Sequence, residues 1–288
     1  MKQFASHTRR AMLLGGSAAA LSSITNHGAQ AALSRSALSE MANRLAVYAR
    51  IRGNGIGEPP ALWWIKGVVY GKQYEKNAQP LFQVTGVSHN KVTAGQNGGI
   101  ILSIEEGGYY ADLETGEVMD SWTNPVTGAS TQPKHYKMLV SHNFAMNGDV
   151  EHDDSTGRTE AYGGISPVEI SGDTLWVEEN YFSRTEISSP PSSSPSAELE
   201  SQRSTAQFNV GDSLTTFQAR VKDLQTPDGT FVSATLAYEQ TNSWASWLNM
   251  GDYPGLQLWQ LKGRKLAGPE EIPAQLRDRL RIDHPNFI

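Results

Sequence analysis

Residues 100–128 read IILSIEEGGYYADLETGEVMDSWTNPVTG, and this stretch decides the fold class. Ile100 to Glu105, Gly108 to Asp112 and Val118 to Thr123 are short β-prone runs. They are parted by Glu106-Gly107 and by Glu114-Thr115-Gly116, and the last is followed by Asn124-Pro125-Val126-Thr127-Gly128. Proline and glycine stand where turn geometry wants them, so the stretch predicts an antiparallel meander.

The same punctuation continues on both sides. Leu62 to Lys72 and Leu81 to Val92 precede it; His135 to His142, Thr174 to Arg184, Leu214 to Lys222, Phe231 to Gln240 and Leu256 to Gly263 follow. Parallel strands need long crossover connections, and none are visible. The expectation is a mainly β protein: a single antiparallel β-barrel or lipocalin-like domain over 61–288. Closure removes exposed sheet edges and leaves an apolar interior suited to a small hydrophobic or aromatic ligand.

Short helices flank this domain. Leu38, Met41, Leu45 and Tyr48 recur at helical steps, predicting a helix from Arg35 to Arg52 that Gly53 ends and Pro59-Pro60 keeps from resuming. Residues 32–60 are therefore helix and linker. Gly53, Gly55 and Gly57 follow a helix and precede prolines, the wrong context for a phosphate-cradling loop. Ile272, Leu276 and Leu280 predict a second helix from Pro269 to Leu280. Ser188 to Ser196, with Pro190, Pro191 and Pro195, predicts a disordered Ser/Pro loop near 186–204.

The first thirty-one residues read as a leader. Lys2, Arg9 and Arg10 precede a short, mildly apolar run from Ala11 to Leu21, and Ala29-Gln30-Ala31 offers a cleavage site. The run is too short to span a bilayer stably, so no membrane span remains after cleavage. Thr8-Arg9-Arg10-Ala11-Met12-Leu13 resembles a twin-arginine motif, which predicts passage of the folded protein through that export machinery into the periplasm. Losing those three positive charges with the leader takes the net charge from −6 to −9. An acidic chain argues against nucleic acid as a partner. With no cysteine, disulfides, thiolate nucleophiles and cysteine-held metals are excluded.

Gly108 to Glu117, Trp122-Thr123-Asn124-Pro125-Val126-Thr127-Gly128, Trp244-Ala245-Ser246-Trp247-Leu248-Asn249-Met250-Gly251 and Pro254-Gly255 carry a family resemblance. From about Ala61 to its end the chain resembles the domain-of-unknown-function family numbered eighteen-thirty-eight. That resemblance implies no established catalytic residues.

Candidate site residues follow from strand parity. Tyr136, Met138, Val140 and His142 share one apolar face, which points His142 inward as an acid or base and leaves His135 on the other. In Leu175 to Phe182, Glu178 shares a face with Trp176, Asn180 and Phe182, and Glu179 with Val177 and Tyr181; a carboxylate among aromatics is a plausible acid or base. We take His142, Glu178 and Tyr136 as the catalytic candidates. Trp122, Asn124, His135, Trp244, Trp247 and Met250 are the substrate-binding candidates, since tryptophans near strand ends often line a cavity. The cluster Asp149, Glu151, His152, Asp153, Asp154 matches no calcium loop, and no metal or cofactor is assigned. Gly-x-Ser-x-Gly, Walker, zinc-helix and dinucleotide motifs are missing. Two functions remain: a cofactor-free lyase, isomerase or hydrolase, or a non-catalytic periplasmic carrier.

Overall fold

The computed structural model describes residues 40–151, 159–186, 208–226, 230–285 and 287–288. The strands are β1 (Ala61–Lys72), β2 (Gln79–Ala94), β3 (Ile100–Ala111), β4 (Trp122–Thr123), β5 (Ser130–Thr131), β6 (Tyr136–Phe144) and β7 (Val150–Glu151). After them come β8 (Thr159–Ile165), β9 (Glu169–Ser171), β10 (Thr174–Glu186), β11 (Phe208–Arg220), β12 (Ala234–Asn242) and β13 (Leu256–Leu266). Antiparallel ladders join them in the order β7-β6-β3-β2-β1-β13-β12-β11-β10-β8. β9 adds to β10, and β4 pairs β5 in a separate ribbon.

This order is an up-and-down barrel. Its first and last long strands pair along their whole length, from Leu62 opposite Leu266 to Lys72 opposite Leu256. The far ends meet at a narrow seam, where Asp149 bridges Gly164 and the Ile165 N–H donates to the Gly148 carbonyl at 2.9 Å. Among the described residues, β6 from Tyr136 to His142 and β8 from Thr159 to Gly163 each have a strand partner on one side only. The barrel is therefore nearly, not fully, closed.

Period-two burial explains the closure. Trp63, Ile65 and Val69 of β1 and Ile100, Leu102 and Ile104 of β3 are buried and point inward. The helix Met41–Arg52 stops one end of the barrel. Its Tyr48 ring packs edge-on to Phe144 and Phe217, and the Trp63 indole donates to the Arg52 carbonyl at 2.9 Å. The Lys265 ammonium, buried, donates to the carbonyls of Arg50 and Gly53, placing a cation at the helix C-terminus. Burial and then the Arg50 charge push that lysine down to about 7.

The helix Ala274–Asp283 lies on the outside. Its Leu276 and Leu280 join Leu62, Val87, Tyr109 and Phe287 in a second core, each such side chain contributing roughly 1.5–3 kcal/mol. No helix among the described residues is long and apolar enough to cross a membrane.

Several expectations change. Glu106-Gly107 is not a turn; β3 runs unbroken from Ile100 to Ala111 because both neighbouring strands pair with it throughout. Val118 to Thr123 reduces to a two-residue strand, and the glycine-bearing β8 had no clear strand pattern. The C-terminal helix begins at Ala274, after a 3-10 turn at Pro269–Glu271. The expected leader, the expected helix start at Arg35, the expected loop from Ser188 to Ser196 and most of the acidic cluster (His152, Asp153, Asp154) lie outside the described residues.

Candidate active site

Alternation carries polar groups into the barrel as surely as apolar ones. Ile100, Leu102 and Ile104 face inward, so Glu106, Gly108 and Tyr110 do too. Glu106 Oε1 accepts a hydrogen bond from the Tyr136 hydroxyl at 3.0 Å across the β3–β6 pair. Burial pushes the Glu106 carboxyl from 4.5 up to about 7, while the Tyr136 bond and the Arg52 charge pull the other way. Tyr136 is itself raised well above 10.0, by burial first and Glu106 next. A carboxyl poised near neutrality can both take up and release a proton, which is the property an acid–base catalyst needs.

Aromatic rings surround that pair. Tyr110, Tyr136 and Trp259 form an almost equilateral triangle, with centroids 6.0, 6.1 and 6.3 Å apart. Above it Phe82, Trp122 and Trp247 form a tighter one at 5.5, 5.3 and 5.6 Å. This second triangle is a roof in which the β3–β6 connection supplies Trp122, the β12–β13 connection Trp247, and β2 itself Phe82. Asn124 pins the two together: its Nδ2 donates to the Leu248 carbonyl at 2.7 Å and to Met250 Sδ at 3.0 Å. Its Oδ1 accepts from the Val126 and Thr127 N–H groups.

A second polar level lies toward the N-terminal helix. Glu179 of β10 is 7% exposed and accepts from the Tyr48 hydroxyl at 2.5 Å. Arg52 Nε lies 3.9 Å from the same carboxylate, and its guanidinium carbon sits 5.1 Å from the Phe217 ring centroid. His142 faces this level, 4.6 Å from the Tyr181 ring, and burial holds its pKa below 6.5 against the pull of Glu179. Tyr238 lies between the levels; burial and then both carboxylates, Glu106 ahead of Glu179, raise it. Its hydroxyl donates to Gln240 Oε1 at 2.6 Å. Among the described residues no three His, Cys, Asp or Glu side chains are grouped to hold a metal ion.

Surface grooves lie elsewhere. One of about 570 Å³ crosses the outer face of β1 and β13 at Trp64, Lys66, Tyr70 and Arg264; another of about 490 Å³ runs under the C-terminal helix. Neither groove is lined by Glu106, Tyr136, Glu179 or Arg52.

The family model described as protein of unknown function (DUF1838) matches residues 57–288. The chain belongs to the DUF1838 family. No curated protein matches it. The matched span includes Glu106, Tyr136, Tyr110, Trp259 and Glu179; Tyr48 and Arg52 precede it.

In this DUF1838 chain the structure sorts the residues expected from sequence. Tyr136 and His142 both face inward, but six strand residues at ~3.3 Å each separate them by roughly 20 Å, too far to serve one reacting atom. Glu178 is exposed on the outer face and is replaced as the inward carboxylate by Glu179, because Leu175, Val177 and Glu179 are the buried set. His135 points outward, near the C-terminal helix, and its Nδ1 accepts from the Tyr110 backbone N–H at 3.2 Å. Trp122, Trp247, Met250 and Asn124 meet in the roof, while Trp244 donates to the Tyr253 carbonyl at 3.0 Å in the same connection. Glu106, Arg52, Tyr110 and Trp259 were missed. Continuing the Ile100, Leu102, Ile104 alternation would have found Glu106; the supposed turn at Glu106-Gly107 hid it.

Proposed function

We propose that this chain is an exported periplasmic barrel enzyme that moves a proton on a small aromatic molecule without a cofactor, using Glu106. The observation that carries the reading is Glu106 itself: an inward carboxyl pushed to about 7 and held through one oxygen by Tyr136. Near neutral pH both its forms are populated, which a group that takes a proton and returns it requires. Oε2 makes no hydrogen bond to the described residues and is the oxygen that would take the proton. Tyr136 fixes the carboxyl's orientation, and the aromatic walls seat a planar substrate. Proton removal from one carbon and return to it or to a neighbour is an isomerase step; departure of a β-substituent in between makes a lyase. Export rests on the Arg9-Arg10 leader.

The test is hydrogen–deuterium exchange at the α-carbon of ring-substituted acetophenones in deuterated water, followed by proton NMR. Wild type should accelerate exchange of at least one of them, and Glu106→Gln should lose that acceleration. Equal rates in the two proteins would remove Glu106 from the chemistry. No acceleration by wild type would turn the reading to the carrier, which the apolar roof over the interior equally suits.

A further inference from the structure

Arg52 is a half-buried cation whose terminal nitrogens remain open to the barrel interior. Its side chain is 13% exposed and projects from the last residue of the N-terminal helix into the barrel. The groups that feel its charge come from five strands: Glu106 of β3, His142 of β6, Glu179 of β10, Phe217 of β11 and Tyr238 of β12. It therefore faces the interior from the helix that stops one end of the barrel. The guanidinium lies beside the Tyr48 hydroxyl and Glu179, and its nearest approach to the carboxylate is 3.9 Å from Nε, an ion pair longer than a hydrogen bond. Nε is sealed without a hydrogen-bond partner, whereas Nη1 and Nη2 are not among the sealed atoms. Glu179 Oε2 is meanwhile taken by Tyr48 at 2.5 Å.

Such an arrangement leaves the two terminal nitrogens open to water or to a ligand group inside the barrel. A planar fork of two terminal nitrogens matches a carboxylate through two parallel hydrogen bonds. The walls around the fork are aromatic: Phe217 lies against it, Tyr181 stands over His142, and Tyr238 lies toward Glu106. We infer that the barrel binds a small aromatic carboxylate, its carboxyl on the Arg52 fork and its ring directed toward the Tyr136–Glu106 pair. The inference names a substrate class for the proposed enzyme and rests on that reading only for which end of the ligand reacts.

The test is calorimetric titration of the purified protein with benzoate and with benzamide, its neutral isostere. Wild type should bind benzoate about tenfold or more tightly than benzamide, the gain expected of a charge-assisted pair over a neutral one. Arg52→Gln should erase that preference, and Arg52→Lys, which keeps the charge and loses the fork, should retain only part of it. Circular dichroism shows whether each variant is folded; if Arg52→Gln is not, Arg52→Lys with the wild-type preference decides. Equal binding of the two compounds, no binding of either, or a preference that survives in Arg52→Gln overturns the inference. Glu106→Gln separates the two claims: it should stop exchange while leaving the benzoate preference in place. Loss of the catalytic reading would thus appear as intact benzoate binding without exchange.

Discussion

The phenol ring of Tyr136 lies directly over Gly108, its cross-strand partner. A Cβ at Gly108 would stand 2.3 Å from Tyr136 Cζ and 2.4 Å from its hydroxyl oxygen, so the ring occupies space that only glycine leaves. Gly86, paired with Gly108 on the neighbouring strand, keeps the same strip of wall bare. These two glycines let Tyr136 lie against the sheet and reach Glu106.

Gly108→Ala should therefore displace Tyr136 and break its bond to Glu106. Overpacking of this kind costs about 1–3 kcal/mol. Urea unfolding would measure the loss, and NMR of the Glu106 carboxyl carbon would show a titration moved from its wild-type position. Unaltered stability and titration would mean that the ring is not held where the backbone places it.

Glu106 also makes stability depend on pH. Its folded pKa of about 7 lies above the unfolded value near 4.5, so the native state binds the extra proton between them. Its contribution is fully present below about 4.5, is lost as pH rises toward 7, and is constant beyond. Relative to Glu106→Gln, the wild type should lose about 2–3 kcal/mol of unfolding free energy between pH 5 and pH 8. Parallel curves for the two proteins would refute the raised pKa.

Tyr110 and Tyr136 should respond oppositely to loss of their hydroxyls. The Tyr110 hydroxyl is buried without a hydrogen-bond partner, so Tyr110→Phe should leave stability unchanged or raise it by about 1 kcal/mol. Tyr136→Phe strips Glu106 Oε1 of its donor and should lower stability by about 1–3 kcal/mol. Thermal unfolding of both variants below pH 6 reads the contrast.

Arg52 and Glu179 should show coupling. Each single change, Arg52→Met or Glu179→Gln, leaves a buried charge without its counter-charge and should cost about 3 kcal/mol or more. The double variant should cost less than the two added together. A double-mutant cycle with no coupling energy would mean that the 3.9 Å pair contributes nothing to the fold.

Export is testable without a ligand. Replacing Arg9 and Arg10 by lysine should leave the precursor in the cytoplasm if the twin-arginine route carries it; fractionation and immunoblotting would show this. Undiminished periplasmic protein would overturn the twin-arginine reading of Arg9 and Arg10.

The sequence by itself determined the class of the fold. Short β runs parted by Gly- and Pro-bearing turns, with no room for crossovers, allow antiparallel neighbours only, and period-two burial in β1, β6 and β13 sorts inside from outside. It also picked out the tryptophan-bearing connections that make the roof. What the tertiary structure decided was which residues share one space. Arg52, Glu106, Glu179 and Tyr238 lie on four separate elements, and no spacing along the chain announces that β3 and β10 aim their carboxylates into the same interior. The parity of Glu178 against Glu179 turned on which face of β10 met the core, a choice made by barrel closure rather than by local pattern. Glu106 was lost to a turn that Gly107 suggested, and pairing of β3 with β2 and β6 on its two sides overrode that local preference.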